Sequence, residues 1–134
     1  MPTAERLSQF VRSVDEISNP RESFRVFFDI LPYALRKEEL RERMARIYDW
    51  YVDVKLVCLG MDPRRHPEKA REIVGLGELM VAVVDGLAIQ RLIREDSFDA
   101  SRALEMLELL LSQNWSHFAP LHESESNPWA ATGG

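Results

Sequence analysis

A chain of 134 residues, 46% hydrophobic and 29% charged, fits one globular domain and is too apolar to remain disordered. Its formal net charge of −5 argues against a surface built to neutralise phosphates, so DNA binding by this chain alone is not expected. A single cysteine, Cys58, excludes an internal disulfide and an all-cysteine metal cage, and fits a reducing, cytoplasmic location.

Residues 1–10 carry Glu5, Arg6 and Gln9 and offer no continuous apolar stretch, so they do not read as a signal peptide. The first helix is expected over Ala4–Ile17, where Leu7, Phe10, Val11, Val14 and Ile17 recur at three and four; Ser18, Asn19 and Pro20 stop it. The second opens with Asn19 as N-cap, Pro20 in the first helical position and Glu22 in the first turn. Its stripe is Phe24, Phe27, Phe28, Leu31 and Leu35, and Pro32 inside that stripe predicts a kink or break near Asp29–Tyr33.

The third helix is expected over Glu38–Leu59, with Leu40, Met44, Ile47, Tyr48, Tyr51, Val54 and Cys58 along one side and Gly60, Asp62 and Pro63 ending it. On that stripe Cys58 reads as a small buried hydrophobe. Pro67 starts the fourth helix, which runs to about Arg94 and is apolar on nearly every side from Leu76 to Ile93. Its most apolar stretch, Leu79–Ile89, is broken by Asp85 and falls far short of the roughly 20 residues a bilayer requires, so no membrane span is expected.

A helix that is apolar all round needs cover on both flanks, and a domain this small has few helices to give. The surplus surface is most simply hidden against a second copy of the chain, which predicts a homodimer. The fifth helix, about Asp99–Asn114, is leucine-rich over a similarly wide arc and is expected to share that interface. Beyond Trp115 the helical period ends, which divides the chain into a helical domain, residues 1–115, and a flexible tail, residues 116–134.

Two stretches carry a family resemblance. LRERMARIYDWYVDVKLVCLGMD, residues 40–62, is similar to the central pocket helix and following loop of the TetR family's C-terminal domain. LMVAVVDGLAIQRLIREDSFDASRALEMLELLL, residues 79–111, resembles that family's penultimate helix, with Asp-Gly-Leu inside an apolar run, an acidic turn and a leucine-rich last helix. The likeness covers about residues 4–112. It implies an all-α, five-helix bundle that binds an effector and dimerises through its last two helices, within a transcriptional regulator. The family's helix-turn-helix head has no counterpart here and would have to precede Met1, either as the missing part of a longer regulator or in contrast to a headless relative.

If the second, third and fourth helices pack together, Phe27, Phe28, Met44, Tyr48, Tyr51 and Met80 share an interior that suits a small apolar or amphipathic effector, against the plainer reading of closed core. For the dimer contact the residues expected are Val83, Leu87, Leu104, Leu107 and Leu111. Asp85 must be bonded or face a boundary, because an unpaired buried carboxylate is costly. Gly86, with Gly75, Gly77 and Ala88, invites close approach of another helix. His66, His117 and His122 lack helical ligand spacing, Gly75 and Gly77 lack the strand and lysine of a phosphate loop, and no catalytic or metal residues are assigned. No cofactor is expected and the chain does not read as an enzyme. The rival reading is a stand-alone helical interaction module that binds another protein and has no effector.

Overall fold

The computed structural model describes residues 4–118, which form six helices and no strand. They are α1 (Ala4–Ile17), α2 (Arg21–Arg36), α3 (Glu38–Leu59), α4 (Ala70–Ile93), α5 (Ala100–Gln113) and the single turn α6 (Trp115–Phe118). A 3-10 turn, Pro67–Lys69, leads into α4. Five long helices were expected, and α6 adds one turn at the boundary of the tail; the rest of that tail, with His122, lies outside the described residues.

The ends of the helices follow local chemistry. Gly60 ends α3 in the left-handed region at φ 73°, donating its amide to Val57, while Met61 donates to Leu56 at 2.9 Å and buries its side chain beneath the turn. A Cβ at Gly60 would stand 2.5 Å from the Arg6 guanidinium, the far end of a flexible side chain that can swing aside, so it is the backbone angle that favours glycine. Asp99 caps α5 by accepting the Ser101 amide at 3.0 Å. The start of α2 differs from expectation: Pro20 is the N-cap, no side chain bonds the free amides, and Asn19 does not cap. Nor does Pro32 break α2, which runs unbroken from Arg21 to Arg36 with the proline on the exposed side.

Packing builds one core. Leu7, Phe10, Val11 and Val14 of α1, Leu56 and Leu59 of α3, Ile73, Leu76, Met80, Val84 and Leu87 of α4, and Leu104 and Leu111 of α5 pack together. Each such aliphatic side chain contributes roughly 1.5–3 kcal/mol on burial. α4 packs mainly on α3, α2 also lies on α3, and α5 lies on α1. The close α3–α4 approach depends on Gly77, where a Cβ would sit 2.9 Å from Val52 and 3.0 Å from Leu56. Arg91 of α4, nearly buried, binds the Asp15 carboxylate and so ties α4 to α1. At the other end of α4, Glu72 accepts from or is paired to His117 at 3.1 Å, which fastens α6 and holds the Glu72 carboxyl below the usual range.

The inner face of α3 is not the one expected throughout. Its second half turns Val52, Lys55, Leu56 and Leu59 inward, at spacings of three, one and three, and leaves Cys58 exposed, correcting the reading of Cys58 as buried.

Candidate functional site

The end of α1, the start of α2, the middle of α3 and the middle of α4 line a half-open cavity of about 370 Å³, with Ile17, Trp50 and Tyr51 of its wall exposed. The short turn Ser18–Pro20 sets Ile17 beside Phe24 and Phe27, α3 supplies Trp50, Tyr51, Val54 and Lys55, and α4 closes it with Val81, Val84 and Asp85. That volume is at the small end of cavities that hold organic ligands, and its wall is largely aromatic and aliphatic. The aromatic side is continuous: Phe27 meets Phe28 edge-on at 5.4 Å and Tyr48 at 6.2 Å, and Tyr48 meets Tyr51 edge-on at 6.0 Å.

Besides Ser23, two ionisable residues of opposite sign interrupt this wall. Asp85 accepts a hydrogen bond from the Tyr48 hydroxyl at 2.5 Å, which answers the need for a partner in the middle of an apolar helix. Burial pushes the Asp85 carboxyl above its ordinary value, opposed in part by that bond; the Tyr48 hydroxyl is pushed up by burial, then by the bond to Asp85 and its charge. Lys55 is the other. Only 4% of the residue is exposed, its Nζ has no hydrogen-bond partner, and burial pushes its ammonium below the usual lysine range.

A cleft of about 500 Å³ adjoins the cavity and shares Val81 and Asp85 with it. Tyr48 lines this cleft, with Asp49, Asp53 and Glu78 giving it an acidic character. Among the described residues no group of histidine, cysteine and carboxylate side chains is arranged to hold a metal ion.

The structure divides the residues singled out from the sequence. Phe27 and Tyr51 line the cavity, Tyr48 lines the neighbouring cleft, and Phe28 stacks behind Phe27 and Phe24. Met44 is half-buried and lines neither space, while Met80 is 1% exposed and belongs to the core. Lys55, Trp50 and Val54 were missed; Lys55 is marked in the sequence by its place between Val52 and Leu59 on an apolar stripe.

The residues expected at the dimer contact lie in the protomer's own core: Leu87, Leu104 and Leu111 are buried, and Val83 and Leu107 pack against them. The exposed large apolar side chains on the same two helices are Val74, Leu79, Ile89 and Ile93 of α4 and Met106, Leu109 and Leu110 of α5. Gly75, Leu79, Ala82, Gly86, Ile89 and Ile93 repeat at three and four and share one stripe. A Cβ at Gly75 or Gly86 would meet nothing within 4 Å, so the chain's own packing does not require these glycines.

The element order and the strandless bundle define the class, an all-α domain of the TetR C-terminal kind. More closely, residues 3–115 match the family model described as BetI-type transcriptional repressor, C-terminal, and the chain belongs to that family. It is a family of transcription-regulator domains and not a class of enzymes. No curated protein and no solved structure matches the chain. Among the described residues no helix is long and apolar enough to cross a membrane.

Proposed function

We propose that residues 1–115 form an effector-binding, self-pairing domain of a transcriptional regulator, acting in the cytoplasm. A small apolar or amphipathic molecule enters the cavity between α1, α2, α3 and α4, and two copies pair through the outward faces of α4 and α5. One observation carries this reading: α4 presents Val81, Val84 and Asp85 to the cavity and, on another side, an unfilled stripe of Leu79, Ala82, Gly86, Ile89 and Ile93.

A rigid helix with a ligand wall on one flank and a partner on the other links the two events. A ligand that binds one tilt of α4 better than another shifts the population toward that tilt, and the dimer geometry follows. In a regulator the output is the spacing of two DNA-reading units attached to the pair. The family's regulatory character supports this assignment.

The test is mass in solution for the wild type and for the exposed-face substitutions Leu79→Asp and Leu110→Asp. Sedimentation at low micromolar concentration is expected to give a dimer for the wild type and folded monomers for both variants. A wild-type monomer, or dimers throughout, contradicts the proposed pairing face.

A further inference from the structure

We propose that the cavity takes a small organic anion, a carboxylate on an apolar body, and that Lys55 reads its charge; this rests on the effector reading above. A lysine is almost never fully buried unless its ammonium is paired, because removing an ion from water without a partner is costly. Lys55 breaks that rule: among the described residues its Nζ is the buried side-chain polar atom with no partner. The same side chain stands in the cavity wall beside Phe27, Tyr51 and Val54.

The acidic group in the wall does not relieve it. Asp85 faces the same cavity, but its carboxyl is engaged by the Tyr48 hydroxyl, and burial favours its neutral form. No side chain is bonded to the ammonium, and the cavity next to it has room for a carboxylate. Four rotatable bonds let the lysyl stem swing Nζ toward a carboxylate, which accepts a single charge-assisted hydrogen bond from this compact cation. Trp50, Tyr51 and Phe27 then cover the apolar body of the molecule. Burial that opposes the free ammonium therefore becomes selectivity: a neutral or cationic molecule of the same shape leaves Lys55 as it was.

Calorimetric titration of the full chain with phenylbutyrate, its neutral amide and phenylbutylamine tests this. The wild type is expected to bind the carboxylate about ten- to a hundredfold more tightly than the amide, the size of a buried charge-assisted bond. Lys55→Met and Lys55→Gln are each expected to bring the two ligands to within about twofold while amide binding persists. Equal wild-type affinity for carboxylate and amide, a preference that survives both substitutions, or tightest binding of the amine overturns the anion assignment and leaves the effector cavity standing. Failure of all three molecules to bind brings down both.

Discussion

Replacing Lys55 by methionine keeps an unbranched stem one atom shorter and deletes its charge, and it is expected to stabilise the ligand-free protein by about 2 kcal/mol. The magnitude comes from the burial of Lys55, 4% exposed with no partner for Nζ. An unsatisfied buried polar group costs roughly 1–3 kcal/mol, and a methionine stem fills most of the same space without that penalty. Burial pushes the Lys55 ammonium below the ordinary lysine value of 10.5, so the unfolded chain binds more protons than the native one in the interval between the two values. Wild-type stability therefore rises as pH climbs through that interval, and the advantage of the methionine variant shrinks. Urea unfolding at fixed protomer concentration, which holds any contribution of self-association constant, reads the effect as a rise of about 1 M in the midpoint. A variant less stable than the wild type by about 1 kcal/mol or more at neutral pH refutes the reasoning, because it means that the ammonium contributes favourably where it stands. A gain in stability coupled to a loss of carboxylate binding is the familiar exchange between a strained functional group and a quiet core.

Tyr48→Phe removes the donor to Asp85 and is expected to cost about 1–2 kcal/mol at neutral pH in urea unfolding. Because burial holds the Asp85 carboxyl above its ordinary 3.8, the stability it contributes is present below that pH and is lost as pH rises through its native value. Losing the Tyr48 bond raises that native value further and extends the loss to higher pH, whereas Asp85→Asn flattens the profile. Gly77→Ala drives a methyl into Val52 and Leu56 at 2.9 and 3.0 Å and is expected to lower stability by about 1–3 kcal/mol, seen as a fall in thermal midpoint. Gly60→Ala meets a left-handed backbone, while the Arg6 guanidinium swings aside, and a destabilisation of about 1–2 kcal/mol in the same assay is expected.

Much of the fold was legible because its punctuation is chemical. α1 and α3 fall where their stripes and stops put them, Ser18–Pro20 after the one and Gly60 after the other. Pro32 misleads because the loss of one hydrogen bond does not break a helix held on α3 and α4 by Phe24, Phe27 and Phe28. The orientation of α4 could not be read because nearly every position is apolar and a uniform helix has no phase; only its neighbours select Ile73, Leu76, Met80, Val84 and Leu87 as the inner face. The same ambiguity on α5 places Leu104, Leu107 and Leu111 inside and leaves Met106 and Leu110 free. An aspartate at Leu87 or Leu104 thus tests the core and not the pairing surface.

The cavity was half legible. Phe27 and Tyr51 stand where aromatic spacing suggests, but Met80 is needed between helices and has no free surface to offer a ligand. Lys55 was masked by its own polarity: a lysine reads as solvated, and its place between Val52 and Leu59 on the inward face of α3 is the one sequence signal of the burial the structure shows. Asp85 was flagged by cost alone, and its partner Tyr48, 37 residues away, emerges only when α3 and α4 are brought together.

Sedimentation equilibrium of the wild type beside Gly86→Leu probes the outward face of α4 most directly. Gly86 lies on the free stripe, and an added Cβ meets nothing within 4 Å in its own chain, so the protomer is expected to keep its helicity and thermal stability. The wild type is expected to sediment as a dimer, and the leucine is expected to weaken pairing by at least about tenfold by wedging the two α4 helices apart. An unchanged dimer constant, or a wild-type protein that stays monomeric across the micromolar range, contradicts the assignment of this face to a second copy.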